Sequence, residues 1–173
     1  MLELMRFADE RATSYATVAD FCKTFNEEMH SLYLLSFLLT ADHDKAEQCL
    51  ISAMGECADG IGVLMDWARS WTRRTVLKHA IRIIMPAPQQ ANTVLFVSLN
   101  AQATSAEDDP LAAILSLDAF ERFVFVMSIL EGQSDEECAI LLRCSRRDVM
   151  MARVLALKHQ SYADALAGEV LQS

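Results

Sequence analysis

Apolar residues recur along this chain with a helical period. Thr17 and Asp20 have the spacing of a capping box, and behind them Phe21, Phe25, Met29, Leu32 and Leu39 lie near one helical face. Asp44 and Glu47 repeat the cap spacing before a second stripe of Ala46, Cys49, Leu50, Ala53 and Cys57. Gly60 and Gly62 mark a break, and a third helical segment runs from about Val63 to Met85, stopped by Pro86 and Pro88. Its stripe changes phase midway, with Leu64, Trp67, Ala68 and Trp71 on one face and Leu77, Ala80, Ile81 and Ile84 nearly opposite. This predicts either a kink near Thr72 to Thr75 or a change of packing partner along the helix.

A second helical pattern begins after Pro110. Three cap pairs, Asp118 with Glu121, Ser134 with Glu137 and Ser145 with Asp148, predict three short helices in succession. Phe120, Phe123, Val124, Met127 and Leu130 face inward from the first, which Gly132 stops. The second runs from Asp135 to Leu142 with Ala139, Leu141 and Leu142 as its apolar contacts. After a tight turn at Arg143 and Cys144, the third turns Val149, Ala152, Ala156 and Leu157 inward. Two helices joined by so short a turn have the spacing of a DNA-binding helix-turn-helix. An ordinary helical hairpin in an all-α core has the same spacing.

The prediction is therefore an all-α protein of two small helical domains. Residues 1–85 form a three-helix block, residues 86–110 a linker rich in polar residues that ends in Glu107, Asp108, Asp109 and Pro110, and residues 111–173 the helix-turn-helix block. The apolar run Val94 to Leu99 inside the linker fits a strand, a helical turn or a docking peptide.

Composition supports this reading. Of the 173 residues 53% are hydrophobic and Gly plus Pro occupy only eight positions, which favours a packed helical protein over a disordered one. No apolar run reaches the roughly 20 residues of a membrane span, and the N-terminus lacks a signal-peptide core, so a cytoplasmic protein is expected. The five cysteines, Cys22, Cys49, Cys57, Cys138 and Cys144, lie on apolar helical faces with no metal spacing, and read as buried free thiols. His30, His43, His79 and His159 are scattered, and neither a nucleophile constellation nor a phosphate-binding loop is present. An enzyme is not expected, nor a small-molecule substrate.

Charge alters the picture. The net charge is −9, yet Arg69 to Arg82 holds five basic residues and no acid, and Arg143 to Lys158 holds five against Asp148 alone. Two compact basic segments in a strongly acidic chain are what two separate phosphate contacts require.

The ordered set of motifs resembles the bacterial sigma-70 factors of RNA polymerase, of the extracytoplasmic-function type. Leu117 to Phe125 with its Arg122, Glu131 to Ala139, and Leu142 to Ser145 followed by Val149 resemble successive motifs of the family's C-terminal region 4. Leu32 and Tyr33, Ala46 and Glu47, and Trp67 or Trp71 resemble its N-terminal region 2. The resemblance implies no cofactor, and implies core RNA polymerase and promoter DNA as partners, with an anti-sigma factor as a further one. In that scheme Arg143, Ser145, Arg146, Arg147 and Arg153 contact the upstream promoter element, while Arg69, Arg73, Arg74 and Lys78 form a track for an opened strand. Trp67 and Trp71 either stack on a base or pack in the core. Asp44 and Glu47 face a basic polymerase surface. The chain departs from the family pattern at Gln48 and Ile51, where an acid and Gln help bind the polymerase clamp. It departs again at Arg143, where the turn has Gly, and at Met150 and Ala152, where the recognition helix is basic. These departures suit an alternative function, a sigma-like regulator that binds polymerase, a sigma or an anti-sigma factor without starting transcription.

Overall fold

The computed structural model describes residues 15–59, 62–88 and 110–170, with side chains in the last helix described through 159. The protein is all-α. Seven helices are present among the described residues: α1 (Val18–Thr40), α2 (His43–Ala58), α3 (Ala68–Ile84), α4 (Pro110–Leu115), α5 (Ala119–Phe125), α6 (Asp135–Leu142) and α7 (Arg146–Val170). Residues 89–109 of the predicted 86–110 linker, with Val94 to Leu99, lie outside the described residues, as does Gly60. No described helix is long and apolar enough to cross a membrane.

The capping box at Thr17 forms as its spacing predicts, with the Asp20 carboxylate accepting from the Thr17 backbone N–H at 2.8 Å. Phe21, Phe25, Leu32 and Leu39 are buried behind it, but Met29 is exposed and Leu35 takes the expected inward place. The cap of α2 differs from the expected one. Asp42, not Asp44, accepts from the Lys45 backbone N–H at 3.0 Å, because α2 starts at His43 and puts Asp44 inside its first turn. Ala46, Cys49, Ala53 and Cys57 are fully buried, and such small side chains let α2 approach α3 closely enough for the Cys49 thiol to donate to the Val76 carbonyl at 3.3 Å.

The phase change expected in α3 is resolved without an interruption. Ala68, Thr72, Thr75, Val76 and Ala80 make one continuous buried stripe, in which two threonines occupy positions that a hydrophobicity pattern leaves blank. Thr75 can be buried because its hydroxyl donates back to the Trp71 carbonyl at 2.9 Å while its methyl group packs. Ser36 and Thr40 on α1 use the same device, donating to the carbonyls of Leu32 and Ser36 at 2.9 Å each.

In the second half, the predicted helix starting at Asp118 divides. Asp118 caps the Phe120 backbone N–H at 3.1 Å, and after α5 the backbone widens into a π-helical turn over Val126–Leu130. Phe120 and the unbroken run from Phe123 to Met127 are buried, and the widened turn rotates the chain along it so that Leu130, expected inward, is exposed. Gly132 then reverses the chain at φ +65°.

The buried residues of both halves form one continuous core. Arg122 on α5 is buried there and joins the halves. Its guanidinium donates to the carbonyls of Leu39 in the last turn of α1 (3.4 Å), of Leu115 at the end of α4 (3.4 Å) and of Leu117 (2.9 Å). The negative ends of two helices thus replace the carboxylate that a buried arginine otherwise needs. Burial still lowers its pKa from the usual arginine value.

Candidate nucleic-acid interface

Both caps of the helix-turn-helix form reciprocally. The Glu137 carboxylate accepts from the backbone N–H of Ser134 at 2.9 Å while the Ser134 hydroxyl accepts from the Glu137 N–H at 3.2 Å. Ser145 and Asp148 repeat the arrangement at 2.9 and 3.1 Å. Backbone N–H bonds hold the Glu137 carboxyl below the usual range, and the Ser145 hydroxyl bond does the same for Asp148. Between the two helices Arg143 adopts the left-handed conformation (φ 54°, ψ 43°), so the turn closes although the family's glycine is missing. The Cys144 N–H completes it by donating to the Ala139 carbonyl at 3.1 Å.

This geometry separates the candidate DNA contacts. Arg143, Arg146 and Arg147 are exposed at the turn and the head of α7, and no ion pair among the described residues engages them. Two cations at the positive end of a helix disfavour that helix but favour an anion beside it. Ser145 is committed to its cap: its hydroxyl donates to Asp148 at 2.6 Å. Arg153 corrects the expectation, because it grips Asp135 of α6 at 2.6 and 3.2 Å and fastens the hairpin instead of facing a ligand. The outward side of α7 departs from expectation too, since Met150, Met151, Val154, Leu155 and Leu157 are all substantially exposed. Leu157, expected in the core, lies outside it, and among the described side chains of this helix the core receives Val149, Ala152 and Ala156.

The basic track on α3 is partly neutralised. Arg69 pairs with Glu28 of α1. Arg73 donates to Ser31 at 2.9 Å and through its Nε to Glu131 at 2.8 Å, with a second, shorter bond from its Nη2 to the same carboxylate, and its Nη1 lies 3.5 Å from Glu28. Hydrogen bonding to Glu131 pushes the Arg73 pKa above its already high value, with burial opposing. Arg82 and His79 both bond to Glu56, at 3.1 and 2.9 Å. Arg74 is exposed without an ion pair among the described residues, and Lys78 lies 4.9 Å over the ring of Trp71. The two tryptophans part company: Trp71 is half-buried against the core, whereas Trp67 is 65% exposed.

An open groove of about 680 Å³ runs between α3 and the chain after the π-helical turn. Trp67, Ser70, Arg73 and Arg74 form one wall, and Leu130, Glu131 and Gln133 the other. It therefore joins residues of the two sequence blocks that were expected to be separate.

Asp44 and Glu47 are both exposed on α2, where neither makes an ion pair among the described residues. Behind them Tyr33 shares a 2.6 Å hydrogen bond with His43, whose ring stacks on Phe37 at 4.3 Å. Tyr33 thus supports this corner from a half-buried position. No protein-family model, curated protein or solved structure matches the chain.

Proposed function

We propose that this protein is a sigma-like transcription initiation factor that binds core RNA polymerase and directs it to promoter DNA. The observation that carries the reading is the reciprocally capped helix-turn-helix with Arg143, Arg146 and Arg147 outside any ion pair among the described residues, at its turn and the head of its second helix. Arg74, Trp67 and the groove beside them support a second contact, with an opened strand. Asp44 and Glu47 are the exposed acids available for polymerase. The test is in vitro transcription with purified core polymerase and the full chain, alongside titration of duplex DNA at several salt concentrations. Initiation from a defined start supports the proposal. Replacing Arg146 and Arg147 by Ala flattens the salt slope by up to about 1.8, at about 0.9 for each phosphate no longer neutralised. An unchanged slope rejects DNA reading by α7.

A specific observation favours a second reading. The exposed Met150, Met151, Val154 and Leu155 on the outer side of α7 suit a protein partner better than a base edge, and Arg73 and Arg153 are already bound to carboxylates. A regulator that binds polymerase, a sigma or an anti-sigma factor without starting transcription has such a surface. Tight core binding with no initiation selects it.

A further inference from the structure

Arg73 is the residue of the basic track most deeply engaged, and its three partners come from two places in the chain. Ser31 and Glu28 lie on α1, and Glu131 closes the π-helical turn of the other block. Glu131 keeps only 12% of its side-chain surface exposed, and both of its oxygens face the guanidinium. The fork-to-fork pairing is the one an arginine makes with a phosphodiester, so carboxylate and phosphate compete for the same donors. The competition takes place in the open groove where Trp67, Ser70 and Arg74 stand ready on the same wall.

We propose that Glu131 is a built-in competitor: in the free protein it occupies Arg73 at the wall of the groove, and a nucleic-acid strand must displace it to bind there. The inference rests on the nucleic-acid reading above and adds its regulation. Glu28 plays the same part from α1 by neutralising Arg69. Such a lock limits strand binding by the free protein and leaves the contacts of Arg143, Arg146 and Arg147 untouched. Surroundings that draw Glu131 away, such as a basic partner surface, expose the track.

The test measures binding of a fluorescent single-stranded oligonucleotide and of a duplex to the full chain across a salt series. Glu131→Gln keeps an acceptor for Arg73 but removes the competing charge. It should tighten single-strand binding several-fold at low salt and steepen the salt slope by about 0.7, one further phosphate on a single strand. Arg73→Ala added to it should abolish both gains. Glu28→Gln, read the same way, should also tighten single-strand binding and serves if the first variant does not fold. Asp59→Asn, an equal charge change at an exposed site outside the lining of the groove, should leave single-strand binding nearly unchanged. If duplex binds but neither carboxylate variant gains on single strands beyond Asp59→Asn, the competitor inference is overturned and the DNA reading stands. If no variant binds either nucleic acid at low salt, the DNA reading falls, and this inference with it.

Discussion

Arg122→Met removes the most heavily hydrogen-bonded side chain in the core while keeping a similar apolar stem. The arginine is 7% exposed and satisfies carbonyls of Leu39, Leu115 and Leu117. Methionine fills much of the volume but donates to none of them. An unsatisfied buried acceptor costs about 1–3 kcal/mol. The Leu117 bond at 2.9 Å is the strongest of the set, and the 3.4 Å contacts to Leu39 and Leu115 are weaker. Removing the arginine also avoids burying a charge without a carboxylate, which offsets part of the loss. The balance is a destabilisation of about 2–4 kcal/mol, a large fraction of the roughly 5–15 kcal/mol typical of a domain. Urea unfolding followed by circular dichroism measures it. Because the core is continuous across both blocks, the wild type should unfold in one transition. The variant should either shift that midpoint or split it in two, since the Leu39 bond ties α5 to α1. Arg122→Lys should not rescue, because an ammonium cannot reach carbonyls on two elements with a planar fork. A variant within about 0.5 kcal/mol of wild type, the range of an ordinary surface substitution, would refute the role given to Arg122.

Arg143 adopts φ 54°, so Arg143→Gly should raise the unfolding midpoint by the equivalent of about 0.5–1 kcal/mol, read in the same denaturation experiment. It should also flatten the duplex salt slope if Arg143 meets a phosphate. Asp20, Asp42, Glu137 and Asp148 have pKa values lowered by their caps, so the stability they confer is present above their ordinary values, 3.8 for Asp and 4.5 for Glu, and is lost as pH falls below them. The urea midpoint should therefore drop between pH 5 and pH 3, about the span of these titrations, and a flat profile would contradict the cap assignments. Glu121 acts in the opposite sense. Burial raises its pKa, its contribution fades as pH rises through that value, and Glu121→Gln should stabilise the protein at neutral pH. Native thiol titration should find Cys22 reacting quickly, Cys144 slowly, and Cys49, Cys57 and Cys138 only on unfolding. Burial raises all three of those thiols, Cys138 to about 11, and fast reaction of more than two thiols would contradict the core packing.

Local chemistry was legible in the sequence. Thr17 with Asp20, Ser134 with Glu137 and Ser145 with Asp148 each form the cap that their spacing announced, because a cap involves residues only three apart. The helical class and the limits of α6 arise from the same local signals. The cap of α2 sits two residues earlier than its spacing suggests: Asp44 has an acid three residues on and Asp42 has Lys45 there, yet the helix starts at His43 and Asp42 is the cap. Hydrophobicity also misreads α3, since Thr72 and Thr75 pack as apolar residues once their surroundings exclude water. The largest gap concerns charge. As sequence, Arg69, Arg73 and Arg153 look as free as Arg146, but Glu28, Glu131 and Asp135 approach them only after the helices pack. A chain determines its own hydrogen bonds across three or four residues through backbone geometry. Which distant carboxylate meets a given cation depends on helix packing and on the register of the π-helical turn, and those belong to the tertiary structure.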